Sequence, residues 1–391
     1  MFPVKIHEIQ INNNMISKLK FKNYKLFKSL QTIELKPLTI LIGKNSSGKS
    51  AVLKLPTLIE NSLSGNFQEP LLLTNNGIEL GGEFRDLIYG RRYGQLEISL
   101  ESDSEKLEIV VGCSTPSNDP EIFHWKLDGF EADTSKEKFK GFLAASNKIK
   151  TLSLNINYIS SYREGLERYF EKNIKTYDLV GIKGENVYSI LIKDALTTTQ
   201  NLIKQVSEFY QENFEGWSIR VNQDNAPPYQ IELFKNELKI NLKEVGLGMI
   251  HALPLVVRAS MPAKQETLII IEEPELHLHP AAHGNLAELF AKSLHDKNKR
   301  YLIETHSQNF VLRLRRLIAQ GDLDKEQVVI YYVEFDEDLA ESNLIRINID
   351  ELGKPRNESD EIYWPKNVFS ETLDETSAIR TSQLNKQDHD R

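Results

Sequence analysis

An α/β fold is predicted for this chain by three apolar runs, each followed by a helical segment. The first run, Leu38–Ile42, leads through a glycine-rich loop into a helical segment at Ala51–Glu60. The other two pairs are Leu268–Ile271 with an amphipathic segment at Ala281–Leu294, and Tyr301–Glu304 with Val311–Ile318. Short apolar runs of this kind are typical of strands that are buried on both faces of a sheet. We therefore predict a mixed central sheet with helices packed against it.

The loop after the first run has the spacing Gly-x-x-x-x-Gly-Lys-Ser, which is the phosphate-loop pattern. Glycines let the backbone turn tightly and approach a phosphate, and successive N–H groups at a helix N-terminus point at the anion. Lys49 is predicted to reach the β- and γ-phosphates of ATP, and the Ser50 hydroxyl to bind Mg²⁺. The alternative is a Gly/Ser loop with one surface lysine. The predicted nucleotide-binding residues are Gly43, Lys44, Asn45, Ser46, Ser47, Gly48, Lys49, Ser50 and Ala51.

Two carboxylates follow the apolar run Leu268–Ile271. They lie beside the phosphate loop if the two strands are neighbours in the sheet. One carboxylate can then hold the hydration shell of Mg²⁺, and the next can polarise the attacking water. We assign Glu272 to the metal and Glu273 to the water. An acidic strand end at the surface is the alternative.

Two weaker signals complete the predicted site. His306 follows the strand Tyr301–Glu304 and can hydrogen-bond a γ-phosphate, although a lone histidine is usually a core or surface residue. Gly246 and Gly248 precede a helix predicted at His251–Ala259, where backbone N–H groups can face a phosphate. A simple turn is the alternative for this glycine pair.

The order of these four motifs resembles that of the ABC-type ATPase heads of the SMC/RecF/OLD group. More narrowly, Glu273–Pro280 and Glu304–Ser307 resemble a prokaryotic branch of stand-alone AAA-type ATPases, encoded near or within anti-phage defence loci. The resemblance spans roughly Ile16 to Val333. It implies a P-loop ABC-type head, with a mixed central sheet, a flanking antiparallel sheet and a helical lobe.

The resemblance further implies a dimer in which two heads enclose two ATP molecules, so we expect a homodimer or a higher homo-oligomer. Gly246 and Gly248 of one subunit would face the nucleotide of the other, and Glu275–His279 would lie at the seam. The sequence departs from the pattern in three respects, and one is that the glutamine that contacts Mg²⁺ in many ABC enzymes is not identifiable. Glu272 stands where many ABC proteins have Asp, and His251 stands where relatives often have Gln. The interval between the phosphate loop and the acidic pair is too short for the coiled-coil arm of SMC proteins.

Composition narrows the partners that are expected. The formal net charge is −8, so any DNA contact would use a local basic patch. The single Cys113 excludes an internal disulfide and a cysteine-based zinc site, which suits a reducing cytoplasm. No apolar run approaches the length of a membrane span, so we expect a cytoplasmic protein without membrane contact.

The predicted domain organisation is a head over residues 15–335, with a helical lobe around 160–260. Within Met15–Leu35, alternating lysines predict an edge strand, a turn at Asn23 and a second strand, with the lysines on a solvated face. Leu96–Leu100 and Leu107–Val111 are predicted to continue an antiparallel sheet that flanks the nucleotide. A C-terminal extension is expected over 336–370. The polar stretches 133–150 and 371–391 are predicted as a loop or surface helix and as a disordered tail, respectively.

Three functions are compatible with these motifs. The first is an ATP-hydrolysing switch in phage defence that dimerises on ATP and controls an effector, such as a nuclease, in a separate chain. The second is a self-sufficient nuclease of the OLD type. The third is a DNA-binding repair ATPase that resembles RecF. The nuclease would use Glu334, Asp336 and Asp338; the DNA-binding ATPase would use Lys18–Lys28 with Arg313, Arg315 and Arg316.

Overall fold

The structure is a computed structural model, and it divides the chain into two compact units. One unit is formed by Met1–Leu35 with Pro56–Asn155, the other by Lys36–Leu55 with Ile156–Arg391. The stretches 133–150 and 371–391, for which a surface segment and a tail were predicted, lie outside the described residues. The described residues are 15–63, 70–113, 120–131, 152, 154–163, 167–170, 175–224, 227–366 and 368–369.

The strands and helices are numbered in chain order. The strands are β1 (Lys18–Lys22), β2 (Gln31–Glu34), β3 (Leu38–Gly43), β4 (Thr74–Asn75), β5 (Ile78–Glu79), β6 (Gly94–Glu101), β7 (Lys106–Cys113), β8 (Glu121–Leu127), β9 (Phe130–Glu131), β10 (Ile156–Ile159), β11 (Ser218–Asn222), β12 (Gln230–Lys235), β13 (Leu238–Asn241), β14 (Thr267–Glu272), β15 (Lys299–Glu304), β16 (Val328–Asp336), β17 (Glu341–Ile349) and β18 (Pro355–Arg356). The helices are α1 (Lys49–Leu63), α2 (Val187–Ala195), α3 (Asn201–Asn213), α4 (Leu247–Ser260), α5 (Pro280–Ser293) and α6 (Gln308–Gln320).

The first unit holds an antiparallel sheet with the order β2-β1-β6-β7-β8-β9. Apolar and charged residues alternate along β1, so Leu19 and Phe21 are buried while the lysines occupy the other face. On that face Lys20 pairs with Glu101 at 2.7 Å and Lys22 with Glu97 at 2.8 Å. The predicted antiparallel sheet is confirmed, but the prediction of β1 as an edge strand is wrong. The edge is β2, because β1 pairs on its other side with β6, which lies far along the chain.

The second unit is built on a mixed sheet with the order β10-β14-β15-β3-β16-β17-β18. The five strands β10, β14, β15, β3 and β16 are parallel to one another. Strand β17 pairs antiparallel with β16, and β18 pairs antiparallel with β17. Every residue of the run Leu268–Ile271 is at most 1% exposed, as expected for a strand covered on both faces. The predicted mixed central sheet is confirmed.

The range 160–260 holds helices α2, α3 and α4 together with a small antiparallel sheet, β11-β12-β13. Helix α4 begins four residues earlier than the predicted start at His251. Gly246 is its N-cap, and Gly248 therefore lies in the first turn. The helix begins at Leu247 in spite of the two glycines, because Leu247, Met249 and the residues that follow have sufficient helix propensity.

The C-terminal extension packs on helix α6. The Arg315 side chain donates to the carbonyl oxygen of Gly353 at 2.8 Å, and its guanidinium lies 5.9 Å from the centre of the Trp364 ring. Trp364 is partly buried and donates to the carbonyl oxygen of Val368 at 2.9 Å. Within the described ranges, no helix combines the length and apolar character that a bilayer crossing needs.

Candidate nucleotide-binding site

The carboxyl ends of three neighbouring strands form the centre of the site. Strand β15 lies between β3, which leads into the phosphate loop, and β14, which carries the acidic pair. In register, Glu272 lies opposite Glu304, and Glu304 lies opposite Leu41. The sequence prediction made β3 and β14 direct neighbours as a condition for the acidic pair to reach the phosphate loop. The structure instead inserts β15, so Glu304 ends on the strand next to the loop.

The phosphate loop has the backbone that its glycines allow. Gly43 has a φ of 152°, and a Cβ there would lie 2.5 Å from the carbonyl oxygen of Val333. Only glycine fits this close approach. The Ser342 hydroxyl donates to the carbonyl oxygen of Ser47 at 2.7 Å, which ties the middle of the loop to β17.

Lys49 lies at the base of this loop and is 3% exposed. Its Nζ donates to the carbonyl oxygens of Gly43 at 3.1 Å and Lys44 at 2.7 Å. Burial lowers the pKa of Lys49, while the charges of Glu304 and Glu273 act in the opposite direction. The ammonium group is thus held inside the loop by two backbone carbonyl oxygens.

Glu304 contacts two side chains of the phosphate loop, Lys49 and Ser50. Its Oε1 accepts from the Ser50 hydroxyl at 3.1 Å and lies 3.9 Å from Lys49 Nζ. Its Oε2 is buried and has no hydrogen-bond partner among the described residues. Burial raises the pKa of Glu304 to about 7, against the lowering effects of Ser50 and Lys49. A buried carboxylate with one unsatisfied oxygen indicates that a cation or a proton belongs there.

Glu273, Glu304 and His306 form a cluster in which one ligand atom from each lies within 4.8 Å of the others. His306 Nε2 is 4.0 Å from Glu304 Oε1. Burial and the charge of Lys49 lower the pKa of His306, which favours the neutral imidazole, and Glu273 opposes this. Oxygen donors dominate around Ser50, and Mg²⁺ prefers oxygen ligands, so the residues present fit that ion.

Glu272, by contrast, is turned toward its own scaffold. Its carboxylate accepts from the Tyr158 hydroxyl, from the Ser161 N–H at 2.9 Å and from the Ser161 hydroxyl at 3.2 Å. Lys54 Nζ lies 3.5 Å away. Burial acts to raise the pKa of Glu272, but these hydrogen bonds and the lysine charge lower it below its usual value. Glu272 is therefore an ionised carboxylate that joins β10, β14 and α1.

A buried arginine holds the backbone of the acidic pair. Arg163 is 2% exposed, and its Nη2 donates to the carbonyl oxygens of Glu272 at 2.8 Å and Glu273 at 3.1 Å. Glu273 has a φ of 39°, in the left-handed region that non-glycine residues rarely adopt. Burial lowers the pKa of Arg163 to about 10, opposed by Glu275, Glu272 and Glu273.

The acidic turn and the histidine turn are joined by two hydrogen bonds. The N–H of Glu273 donates to the carbonyl oxygen of Glu304 at 2.9 Å, and the N–H of His306 donates to Glu275 Oε1 at 2.6 Å. Glu275 is 9% exposed, and burial raises its pKa.

Gly246 and Gly248 line a separate cavity of about 440 Å³ together with Trp217 and His277. None of the residues that line this cavity belongs to the phosphate loop. A Cβ on Gly248 would lie 2.5 Å from the carbonyl oxygen of His277, whereas a Cβ on Gly246 would meet no atom within 4 Å. Gly246 is thus open to contact from outside the chain.

Two of the residues predicted for a nuclease site or for DNA binding, Asp336 and Arg313, make other contacts within the chain. Asp336 Oδ1 accepts from the N–H groups of Asp338 at 2.9 Å and Leu339 at 3.0 Å, as in an ordinary turn. Among the residues that the structure describes, one group of three acidic or histidine side chains is close enough to share a metal ion, and it is the cluster of Glu273, Glu304 and His306. Arg313 pairs with Glu288 at 2.5 Å.

Sequence reasoning missed the roles that the structure gives to Glu304 and Arg163. Glu304 ends an apolar run in the same way as Glu272, and that was the available signal for it. Arg163 follows the polar turn after β10, where nothing in the local pattern points toward β14.

A phosphate loop, an acidic strand end and a histidine after the intervening strand, placed on this mixed sheet, define an ABC-type P-loop ATPase of the SMC/OLD-like kind. The chain belongs to the AAA ATPase domain family, whose model matches residues 15–179 and 144–311.

Known proteins and structures agree with this assignment. The Old nuclease of Escherichia phage P2 is 22% identical over 348 residues, which are 76% of this chain and 57% of that protein. A crystal structure of the Smc head bound to the C-winged helix domain of ScpA is 15% identical with a TM-score of 0.51, covering 85% of this chain and 98% of the head. An Smc head with an extended coiled coil, bound to the C-terminal domain of ScpA derived from Pyrococcus furiosus, is 16% identical with a TM-score of 0.50, covering 85% and 96%. The last two similarities show the fold.

Proposed function

We propose that this chain hydrolyses ATP with Mg²⁺ and closes as a homodimer around the nucleotide, and that its nucleotide state controls a separate effector. The observation that supports this best is the convergence of Lys49, Ser50, Glu273, Glu304 and His306 at one edge of the central sheet. These side chains come from three segments that are far apart in sequence.

Each residue has a defined task in this proposal. Lys49 exchanges its carbonyl partners for the β- and γ-phosphate oxygens, and the loop N–H groups bind the same phosphates. Glu273 accepts a proton from, or orients, the attacking water. A neutral His306 donates one hydrogen bond to the γ-phosphate. Ser50 and a neighbouring carboxylate would hold Mg²⁺, which would supply positive charge to offset that of the phosphates.

Dimer closure is supported by the surface around Gly246. This glycine has open space where a Cβ would be, and the neighbouring Leu247 is 54% exposed. An exposed leucine beside a helix N-terminus suits a surface that is covered in another state. If ATP bridges this surface to the phosphate loop of a second copy, ATP stabilises only the closed dimer and shifts the population toward it.

The effector is proposed to be a nuclease in an anti-phage system. Support comes from the similarity to the Old nuclease and from the short motifs around Glu273 and His306 that resemble defence-associated ATPases. The chain spans 57% of the length of that nuclease.

Three variants test the ATPase and the dimer. Lys49→Ala should abolish binding of ATP, measured by titration calorimetry, because the buried ammonium is lost. Glu273→Gln should bind ATP normally but accumulate as a closed dimer in size-exclusion chromatography with light scattering. The exposed Lys297→Ala is the matched control and should behave as the wild type. Wild-type turnover by Glu273→Gln would refute the role given to Glu273, and ATP binding by Lys49→Ala would refute the site.

A self-sufficient nuclease is the second candidate, favoured by the similarity to the Old nuclease. Incubation of the purified chain with plasmid and Mg²⁺ or Mn²⁺ separates the two functions, since cleavage by this chain alone would support the nuclease. Direct DNA binding is less favoured because Lys20 and Lys22 pair with glutamates across the strand, and Arg313 pairs with Glu288. Binding that weakens steeply with added salt would support it.

A further inference from the structure

We propose that His283 is a positioning residue for His306, and that it acts through the hydroxyl of Ser307. This role rests on the proposed ATPase function, because His283 would help to place the histidine that contacts the γ-phosphate. His283 belongs to helix α5, whereas His306 lies in the turn between β15 and α6. Any influence of His283 on His306 therefore passes through contacts between separate elements.

Both ring nitrogens of His283 have a partner. Nδ1 lies 2.8 Å from the Ser307 hydroxyl, and Nε2 lies 3.1 Å from the carbonyl oxygen of Leu278. Because a carbonyl oxygen only accepts, Nε2 carries the proton in the neutral ring, and Nδ1 accepts from the Ser307 hydroxyl. The Ser307 oxygen in turn accepts from the N–H of Phe310 at 3.1 Å and so caps helix α6. Each polar group in this series of bonds meets a complementary partner, which fixes the orientation of the ring.

The turn that carries His306 is held at each of its three residues. Thr305 is fully buried, and its N–H donates to a backbone carbonyl oxygen of β3 at 3.0 Å. The N–H of His306 donates to Glu275 Oε1 at 2.6 Å. Ser307 is 5% exposed and bonds to His283 through its side chain. The first two bonds hold the backbone on the strand side of the turn, and the bond to His283 holds the helix side.

The two bonds of His283 differ in what they connect. Leu278 lies two residues before the first residue of α5, so the bond from Nε2 joins His283 to the beginning of its own helix. The bond at Nδ1 reaches a different element, at the residue next to His306. The positioning role therefore belongs to the bond with Ser307, and the bond with Leu278 orients the ring for it.

Three substitutions of His283 separate these bonds. His283→Leu removes both bonds with a side chain of similar volume. His283→Asn places its amide near the position of Nδ1 and can keep the bond to Ser307, whereas His283→Gln places its amide near the position of Nε2 and can keep the bond to Leu278. In single-turnover phosphate release, His283→Leu and His283→Gln should lower the rate about 10- to 100-fold, and His283→Asn should recover most of it. ATP affinity, measured by calorimetry, should stay close to that of the wild type in all three.

Two further variants show whether the effect passes through His306. Asn309→Ala is the matched control, because Asn309 also joins α6 to α5, by donating to the carbonyl oxygen of Pro280 at 2.9 Å, but from a position outside the turn. It should keep the wild-type rate. In a His306→Ala background, His283→Leu should cause no additional loss of rate, because a residue that acts through His306 has no effect once the imidazole is gone.

A wild-type rate in His283→Leu would overturn the inference. An equal fractional loss in the wild-type and His306→Ala backgrounds would also overturn it, since His283 would then act independently of His306. Recovery by His283→Gln and not by His283→Asn would assign the effect to the bond with Leu278 and contradict the role of Ser307. Failure of the proposed function has a different signature: the wild type itself would release no phosphate from ATP, and the role of His283 would fail with it.

Discussion

Replacement of Arg163 by Met should lower the rate of ATP hydrolysis while leaving ATP affinity unchanged. Arg163 donates to the carbonyl oxygens of Glu272 and Glu273, and Glu273 has a left-handed backbone that needs support from its surroundings. Arg163 touches neither the phosphate loop nor Lys49 in these contacts. We therefore describe it as a positioning residue that acts through Glu273.

The magnitudes separate the effect on catalysis from the effect on folding. Two hydrogen bonds from a charged donor contribute about 1.5–3 kcal/mol each to stability. Burial opposes this, because it lowers the pKa of Arg163 to about 10, which corresponds to about 3 kcal/mol against the charged form. The net loss of stability in Arg163→Met is then at most about 3 kcal/mol. A displacement of Glu273 by about 1 Å, in contrast, is expected to reduce kcat about 100-fold.

The assay is steady-state phosphate release, with ATP affinity measured separately by calorimetry. The control is Arg258→Met, since Arg258 is equally buried at 3% exposure but donates to Met261 near the end of α4. It should lose stability without losing kcat per folded molecule. Wild-type kcat in Arg163→Met would refute the positioning role. A parallel loss of ATP affinity would show that the whole site depends on Arg163, and not Glu273 alone.

Two further predictions concern other parts of the second unit. Burial lowers the pKa of Lys299 to about 8, whereas lysine in the unfolded chain keeps its higher, ordinary pKa. Between these two pH values the unfolded chain binds one more proton than the folded chain, so the free energy of unfolding rises by about 1.4 kcal/mol per pH unit. Denaturant titrations from pH 7.5 to 10 should show this slope in the wild type and not in Lys299→Met, and equal slopes would contradict it. Gly248→Ala should destabilise the chain by about 1–3 kcal/mol, because its Cβ would lie 2.5 Å from the carbonyl oxygen of His277. Gly246→Ala meets no atom and should leave the monomer's melting temperature unchanged while impairing ATP-dependent dimerisation; normal dimerisation would argue against a contact there.

The parts of the fold that depend on local chemistry were predictable from the sequence. The phosphate loop needs Gly43 because a close backbone approach excludes any Cβ, and that requirement is visible as a residue type at a fixed spacing. The buried strands are visible as apolar runs. The fold class is confirmed, whereas the tasks given to Glu273, His306 and the glycine pair stay predictions.

The order of strands in the sheet was not predictable in the same way. Parallel neighbours are set by how crossover helices pack, and β14, β15 and β3 carry similar apolar runs that do not specify which lies in the middle. For this reason the sequence could not show that Glu304 is nearer to Ser50 than Glu272 is. The role of Arg163 was not predicted because its partners are backbone carbonyl oxygens, which every residue has and which no sequence pattern marks.

The hydrogen bond from the His306 backbone to Glu275 has a mechanical consequence. The segment that carries Glu275 continues to His277, whose carbonyl oxygen lies against Gly248 in the first turn of α4. A shift of the histidine turn would therefore displace Glu275 and, through His277, the start of α4, because buried, closely packed groups transmit displacement. If His306 contacts the terminal phosphate as proposed, loss of that phosphate would displace the start of α4 through these contacts, without unfolding.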